Sequence, residues 1–592
     1  MFFPSPELRS AVSVEPTRKM GMRGPGTYHL FRLNALVWWT AVICAVAVPA
    51  YGTIIAVTNT NDGGTGSLRH ALAIANDGDT ITFAVTGSIV LTTGELVVNK
   101  SVTISGPRAA NVIVDGNGSS RVFHIVSDQT VSISDLTVRN GFATANDGGG
   151  IYNDHATLTL NNCTMTANAA GYGGAIYNNG LAGSATLEIN NSDIHDNTAA
   201  HTGGSIYNDG GESGNASLTI SNSILNSNSA PFGGGIYNDG FDGGYASLTV
   251  NNSTCSNNSA DFGGCIFNDS SVGNASLTLN DSTLSWNTAH KAGGSVYNDM
   301  VNGFGTQTLN NSTFRHNSAR TSGGAIYNDQ GVYLMINNCT VSDNSAEKDG
   351  GGIYNDGSQG IAWLTLDSST LNRNSAAVGG GIFNNGRQRG DTNLRIVNST
   401  FSQNTASYGG GLASNGFDAY YVRVMIGNST FSGNTASRAG GGIYNVAQSG
   451  QDIVLITIAN TILNDGPPGG NISCDSATIS SLGYNLANDG CGNFLTGPGD
   501  QTNTDPMLGP LQDNGGSTLT HALLPGSPAV NAGDSNFASP PFYDQRGPGF
   551  DRVVNGRVDI GSFEVQESTP GQTPRPIPQR SRPTVAPRPT PR

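Results

Sequence analysis

The sequence has little charge and little cysteine. Charged residues fill 12% of its 592 positions, against roughly 25% in ordinary soluble domains. The seven cysteines have neither the dense spacing of a disulfide scaffold nor the CxxC spacing of a zinc site. The net charge is −15, and the body of the chain between its two basic ends is strongly acidic. This composition argues against nucleic acid as the main partner.

Long hydrophobic runs are also scarce. One uncharged apolar run, over residues 35–48, follows a basic stretch and precedes small residues. It is shorter than the ~20 residues that cross a bilayer. We therefore predict that residues 1–52 are the signal region of an exported protein, and that the mature chain has no membrane-spanning segment.

Glycine and asparagine are abundant, with 81 and 64 copies, and they recur in register. A Gly-Gly-x-Ile-Tyr-Asn-Asp unit returns every 25 to 31 residues. Its apolar fourth residue falls at Ile151, Ile176, Ile206, Ile236, Ile266, Val296, Ile326, Ile353, Ile382, Leu412 and Ile443. A fixed period of this length indicates a repeat protein in which each unit packs on the next.

Each unit holds short alternating segments that end at Gly or Asn, which is typical of strands. No segment with helical period occurs between residues 148 and 465. Stacking equivalent strands in parallel pairs their backbone groups. We therefore predict an all-β fold, a right-handed parallel β-helix (solenoid) with the apolar column inside. Residues 67–76 have helical spacing and predict a short capping helix at the N-terminal end.

The predicted organisation has five parts. Residues 1–52 are the signal region, 53–147 the cap and first rungs, and 148–465 the regular repeats. Residues 466–565 are the last rungs and a C-terminal cap. Residues 566–592, rich in Pro and Arg, form a disordered tail.

Asparagine recurs at two further places in each unit. One set contains Asn162, Asn191, Asn222 and Asn252, and the other contains Asn168, Asn197, Asn228 and Asn258, with equivalents in later units. An inward Asn at a bend can hydrogen-bond its counterparts in the rungs above and below. Both sets are predicted to form ladders rather than glycosylation sites.

Aspartate follows the Tyr-Asn pair on many rungs. The column is Asp209, Asp239, Asp269, Asp299, Asp329 and Asp356. Like charges ~4–5 Å apart repel by around 1 kcal/mol even in water. Either bridging Ca²⁺ or simple turn chemistry accounts for the column. No motif requires a cofactor, and Ca²⁺ is the cation that these oxygen ligands suit.

Four residues, each of which directly precedes the corner Asn of its own rung, form a candidate catalytic site. They are Trp286, His316, Asp343 and Arg373, one on each of four successive rungs. An aromatic ring, an imidazole, a carboxylate and a guanidinium at ~4.8 Å spacing could bind or cleave a sugar chain. The alternative is that these are solvated positions free to vary. Cys474 and Cys491 are the best disulfide candidates.

The Gly-Gly-x-Ile units with their following Asn motifs resemble the repeats of chlamydial-type polymorphic outer membrane proteins, over residues 148–465. The segments at 505–516, 521–529, 544–547 and 559–564 resemble the choice-of-anchor Q group of exported bacterial β-helix proteins. The resemblance implies a secreted or cell-surface protein. No alternating membrane strands of an autotransporter barrel follow residue 565.

Two functions fit these observations. The first is a non-catalytic, adhesin-like scaffold on the bacterial envelope that binds a polysaccharide or a surface protein. The second is a polysaccharide lyase or glycoside hydrolase on a pectate-lyase-like β-helix, because this fold also supports enzymes. Even unit lengths favour the scaffold, since enzymes of this fold usually break register around a cleft.

Overall fold

The computed structural model describes residues 52–299, 303, 305–447, 453–466 and 469–566. Of the predicted signal region only residue 52 is described, and the predicted tail lies outside the described residues apart from residue 566. The described chain is an all-β parallel solenoid, as the repeat period predicts. Three long parallel sheets, A, B and C, run its length with 16, 15 and 14 strands.

Each turn of the solenoid, called a rung below, passes through sheets A, B and C in that order. Sheet A contains Ile54–Val57, Thr80–Phe83, Thr103–Ser105, Thr130–Ser134, Thr157–Asn161, Ser184–Asn190, Asn215–Ser221, Tyr245–Asn251, Asn274–Asn280, Gly305–Asn310, Val332–Asn337, Ile361–Asp367, Asp391–Val397, Tyr421–Gly427, Ile453–Ala459 and Thr478–Gly483. Sheet B contains Gly87–Val90, Val112–Asp115, Thr137–Arg139, Thr164–Thr166, Asp193–His195, Ile224–Asn226, Thr254–Ser256, Thr283–Ser285, Thr313–Arg315, Thr340–Ser342, Thr370–Asn372, Thr400–Ser402, Thr430–Ser432, Ile462–Asn464 and Leu486–Ala487. Sheet C contains Leu96–Val98, Phe123–Ile125, Ile151–Asp154, Ile176–Asn179, Ile206–Asp209, Ile236–Asp239, Ile266–Asp269, Val296–Asp299, Ile326–Asn328, Ile353–Asp356, Ile382–Asn385, Leu412–Gly416, Ile443–Ala447 and Ile472–Asp475.

Shorter elements complete the fold. Between sheets B and C, a strip called the corner strip pairs from rung to rung. Its strands are Phe142–Asp147, Ala169–Tyr172, Thr198–Thr202, Ser259–Phe262, Thr288–Ala292, Ser318–Ala319, Ser345–Ala346, Thr405–Tyr408 and Thr435–Ala439. The strands Leu508–Gln512 and Thr520–Leu523 form an antiparallel pair, and Cys491–Asn493 is a 3-10 turn.

The predicted capping helix is present as Leu68–Ile74. Ser67 caps its N-terminus, because the Ser67 hydroxyl accepts the backbone N–H of His70 at 3.2 Å. Leu68 and Leu72 are buried against the first rungs. The helix thus covers apolar side chains that the first rungs would otherwise expose.

The predicted apolar column forms the core of the solenoid. Every member from Ile151 to Ile443 is buried, and consecutive members are direct strand partners, as with Ile206 and Ile236. Parallel strands buried on the inner face need such apolar side chains at every second position. The sequence period and the observed register therefore agree rung by rung.

One of the two predicted asparagine ladders lies inside. The side-chain oxygen of Asn258 accepts both the backbone N–H of Asn228, at 2.9 Å, and its side-chain amide, at 3.0 Å. Fully buried polar groups need such partners, and the repeat supplies them on each rung. A second inward ladder, which was not predicted from the sequence, is formed by the Asn of the Tyr-Asn-Asp motif. The side-chain amide of Asn178, for example, donates to the side-chain oxygen of Asn208 at 2.7 Å.

The other predicted ladder is wrong over most of its length. Asn162, Asn191, Asn222 and Asn252 are exposed and adopt φ between 45° and 53°. Asparagine tolerates this left-handed conformation better than most residues. Turn geometry, rather than inward hydrogen bonding, explains this set.

The C-terminal segment folds back over the outside of sheet B. The hydroxyl of Thr370 donates to the carbonyl of Leu519 at 2.6 Å, and the backbone N–H of Ser562 donates to Thr430 Oγ1 at 3.0 Å. Gln545 lies between these contacts and bonds Thr400. The outward threonines of three rungs are thereby buried.

A buried ion pair lies inside this C-terminal segment. Arg546 pairs with Asp544 at 2.6 Å, and both are buried. The Arg546 guanidinium lies 4.0 Å from the Phe550 ring centre and 3.8 Å from that of Phe563. A buried charge needs such a partner, and the two rings add a cation–π contact.

The disulfide prediction is wrong. Cys474 and Cys491 are free, and Cys255 is bonded instead to Cys265, with their Cα atoms 6.3 Å apart. Cys255 occupies an inward position of sheet B and Cys265 the residue before the inward Ile266, so the bond crosses the corner within one rung. Cys474 lies at the inward asparagine position, next to Asn445.

Candidate functional site

A column of aromatic rings lies on the outer face of sheet C. It is formed by the residue after the inward isoleucine and is called the aromatic column below. Its members are Tyr152, Tyr177, Tyr207, Tyr237, Phe267, Tyr297, Tyr327, Tyr354 and Phe383. Neighbouring rings from Tyr177 to Tyr354 stack with centroids 4.6 to 5.2 Å apart. The rung spacing of a parallel sheet sets this distance.

The predicted aspartate column lies beside these rings, and tyrosine hydroxyls reach it. Tyr237 donates to Asp269 and Tyr327 donates to Asp356, each at 2.6 Å. Tyr207 donates in the same way to Asp239 on the next rung. The second oxygen of Asp239 accepts the backbone N–H of Phe241 at 2.9 Å, which closes the turn. The turn interpretation of these residues therefore has direct support in the hydrogen bonds.

Burial sets the electrostatics of this column. Desolvation, with repulsion from Asp269, raises the pKa of Asp239 to about 7. Desolvation also raises the pKa of Asp329 to about 7 and that of Asp209 by a smaller amount. The tyrosine partners have raised pKa values for the same reason. Tyrosine thus acts as the hydrogen-bond donor, which lets the aspartates lie close together.

Calcium binding by the aspartate column remains a prediction. Across the described residues no three His, Cys, Asp or Glu side chains are grouped so that they could hold a metal ion. Asp209, Asp239 and Asp356 are buried, while Asp269, Asp299 and Asp329 are half-buried. Tyr237 and Tyr327 each donate a hydrogen bond to one aspartate of the next rung, at 2.6 Å.

The four residues of the candidate catalytic site lie on one exposed corner in the predicted order. The Trp286 ring stacks on the His316 ring, with centroids 4.1 Å apart. Arg373 pairs with Asp343 through two bonds of 2.7 and 3.2 Å. Each residue has φ between 52° and 60°, a turn conformation. The structure thus brings the four residues together as two pairs, a ring stack of Trp286 and His316 and an ion pair of Asp343 and Arg373.

The aromatics of the corner strip partly cover the aromatic column. The Phe232 ring meets the Phe267 ring edge-on at 5.5 Å, and the Phe262 ring meets the Tyr297 ring at 5.4 Å. Phe232 nevertheless keeps 38% of its surface exposed. These side chains therefore combine a packing role with an exposed apolar face.

A cavity of about 280 Å³ lies where the aromatic column ends. Its wall contains Asp349, Tyr354, Val378, Phe383, Asn385, Arg387, Tyr408, Ser414, Asn415, Tyr444 and Val446. Most of these residues belong to three neighbouring columns on four rungs, the corner strip, the aromatic column and the aspartate column; Ser414 is at the inward asparagine position and Arg387 on the turn after sheet C. The cavity was not predicted from the sequence. One of its four rungs has Ala413 where most rungs have Tyr or Phe.

The fold and these columns define a class, a parallel β-solenoid stabilised by asparagine and aromatic ladders. Residues 311–329, 338–356 and 428–446 match the Chlamydia polymorphic membrane protein repeat. Each match runs from the turn asparagine through sheet B and the corner and covers most or all of the sheet C strand. The chain therefore contains polymorphic membrane protein repeats, and such repeats suggest an outer membrane or surface protein.

No curated protein sequence matches the chain. Three solved structures are similar in fold. A PL6 alginate lyase in complex with a trisaccharide is 13% identical, with TM-score 0.36 and coverage of 64% of this chain and 86% of that one. The pectate lyase Pel9A is 14% identical, with TM-score 0.28 and coverage of 87% and 97%. The A-module of the Azotobacter vinelandii mannuronan C-5 epimerase AlgE6 is 13% identical, with TM-score 0.24 and coverage of 72% and 97%.

Likeness at that level concerns the solenoid and says nothing of this chain's chemistry. Among the described residues no helix is long and apolar enough to cross a membrane.

Proposed function

We propose that this chain is an exported surface protein whose solenoid acts as a non-catalytic scaffold that holds variable corner residues at fixed spacing. The observation that carries the proposal is the unbroken register of sheet C. From Ile151 to Ile443 each strand pairs with the next at equivalent residues. Polymorphic membrane protein repeats in the chain support a surface location.

Regular pairing makes a stiff support for several reasons. Backbone hydrogen bonds, inward asparagine ladders and stacked rings recur over many rungs. In such a repeat protein each rung is stabilised chiefly by its two neighbours, so surface positions can vary while the support is kept. Corner residues such as Phe232, Lys291 and Arg438 differ from rung to rung at two adjacent positions of this support. They are the proposed contacts to a polysaccharide or a surface protein.

The enzyme alternative would use the exposed corner of Trp286, His316, Asp343 and Arg373. The Arg373–Asp343 ion pair occupies both oxygens of the only carboxylate among these four. None of the four lines the 280 Å³ cavity. Catalysis at this corner would therefore require that ion pair to open, and the scaffold is the better supported function.

Surface exposure is tested on bacteria that produce the full-length chain. Intact cells are treated with a non-permeant protease or with an antibody against the solenoid. We expect the solenoid to be labelled or cleaved on intact cells, while a cytoplasmic marker stays protected. Protection of the solenoid until the cells are lysed would contradict the proposal.

The second measurement separates a scaffold from an enzyme. The purified protein is incubated with acidic and neutral polysaccharides, and both bound polymer and newly formed chain ends are recorded. We expect binding without new ends, at an unchanged level in the His316→Ala/Arg373→Ala double variant. New chain ends that disappear in the double variant would establish the enzyme instead.

A further inference from the structure

The aromatic column is interrupted on one rung. Ala413 takes the place between Phe383 and Tyr444, which are its strand partners on either side. Rungs lie ~4.8 Å apart, so the missing ring leaves two aromatic positions separated by about 10 Å. Rings above the gap are nearly parallel, with 6° between Tyr297 and Tyr327. At the gap Phe383 tilts 53° from its upper neighbour Tyr354.

The neighbouring columns change at the same place. The acidic position continues from Asp356 through Asn385 and Asn415 to Val446. Asn415 accepts the backbone N–H of Phe417 at 3.0 Å, and its amide nitrogen donates to no other described residue. The wall facing the rings is therefore an amide wall without a carboxylate, and it offers a hydrogen-bond donor.

The rim carries one charge of each sign. Asp349 lies on the corner strip, and exposed Arg387 lies on the turn after sheet C. Arg387 approaches the Phe417 ring at 5.8 Å and forms no ion pair within the described residues. Opposite charges on the rim disfavour a strongly anionic or cationic occupant, because one of the two would repel it.

We propose that this cavity binds one ring of an uncharged sugar, with its apolar face against Phe383, Tyr408 and Tyr444. Its hydroxyls would meet the amide of Asn415 and the charged rim, since the Asn385 amide already donates to Tyr354 and Asp356. A purely aromatic ligand would leave the amide wall unpaired, which is costly in a desolvated site. The volume is close to the lower end of the ~300–1,000 Å³ range of ligand pockets, so it suits a single ring.

The sugar site goes beyond the proposed scaffold function and does not depend on a surface location. Binding is measured on the full-length protein by saturation-transfer NMR and calorimetry. The probes are glucose, galactose, mannose and N-acetylglucosamine, with glucuronate and glucosamine as charged counterparts. We expect at least one neutral sugar to bind, and at least tenfold more tightly than its charged counterparts. Absence of binding by every neutral sugar, or preference for the charged ones, would overturn the proposal.

Ala413→Tyr is the decisive variant, because it adds a ring between Phe383 and Tyr444, which both line the cavity. Ala413 is itself buried, so the new ring must push its neighbours toward the cavity, and the variant should bind the sugar at least tenfold more weakly. Phe267→Tyr is the matched control, since it restores the same consensus residue on a distant rung and should leave binding unchanged. Asn415→Ala should weaken binding about tenfold, the loss of a single hydrogen bond of about 1.4 kcal/mol. Undiminished binding by Ala413→Tyr, or by Asn415→Ala if the first variant does not fold, would place the sugar elsewhere.

Discussion

Asp239 allows the pH dependence of stability to be worked out for a single residue of the aspartate column. It is 9% exposed, and burial with repulsion from Asp269 raises its pKa from 3.8 to about 7. Because this folded pKa lies above the unfolded one, the native state binds the proton more tightly. The resulting stabilisation is fully present below about pH 4 and is lost as the pH rises to about 7. A difference of three pH units corresponds to about 4 kcal/mol.

Asp239→Asn removes this dependence while keeping the hydrogen bonds. The chain already contains the replacement, because Asn179 and Asn385 occupy equivalent positions and donate to the tyrosine hydroxyl of the preceding rung at 2.8 and 2.9 Å. At pH 8 the variant should therefore be more stable than the unmodified protein, by up to about 4 kcal/mol. At pH 4.5 the two should be nearly equal, because Asp239 is then protonated.

The assay is urea unfolding of the full-length protein, followed by circular dichroism at pH 4.5 and pH 8. Asp281→Asn is the matched control, because Asp281 is exposed at a turn where other rungs carry asparagine. The control should change the midpoint little at either pH. An Asp239→Asn variant less stable than the unmodified protein at pH 8, or equally stabilised at both pH values, would refute the assignment of a buried, protonatable carboxyl.

Three further predictions concern the interior and the aspartate column. Asn258→Ala should lower the free energy of unfolding by about 3 kcal/mol, because it removes the acceptor of the buried Asn228 backbone N–H and one of the two acceptors of the Asn228 side-chain amide. Asn257→Ala, on the exposed turn where an earlier rung already has Ala167, should cost less than half as much in the same urea titration. Replacing Cys255 and Cys265 by Ser should lower the free energy of unfolding by about 3 kcal/mol, the chain-entropy value for a loop of this size. Dithiothreitol should destabilise the unmodified protein but not the double variant, which has no disulfide at this place. Millimolar Ca²⁺ tests the metal prediction: a rise in melting temperature that a chelator reverses and Asp239→Asn abolishes would establish the metal site. An unchanged melting temperature would leave the turn and the tyrosine hydrogen bonds to explain the aspartate column.

Much of the fold could be predicted because the same pattern of apolar and asparagine positions recurs in every repeat unit. Ile206 and Ile236 had to face inward, since a parallel solenoid buries one face of every strand and these residues recur at its period. The capping helix could be recognised from the position of Ser67, Leu68 and Leu72. The inner ladder of Asn228 and Asn258 also followed from its period.

The sites were less predictable, because they depend on contacts between different columns. The position of Trp286, His316, Asp343 and Arg373 along one corner followed from the repeat, whereas their division into a ring stack and an ion pair depends on side-chain rotamers. Cysteine spacing could not reveal the Cys255–Cys265 bond, which depends on both side chains pointing into one corner. Asn162 has the same period as Asn168, and only the backbone conformation separates a turn residue from a ladder residue.

By itself the sequence determined the parallel solenoid, its inward column and the order of its strands, because local period and burial are enough to fix them. Only the tertiary structure decided which side chains of neighbouring columns contact each other. It placed Tyr207 against Asp239, so that burial rather than a cation governs the aspartates. It also placed a cavity beside the rung where Ala413 replaces the usual ring, lined by the flanking rings of Phe383 and Tyr444.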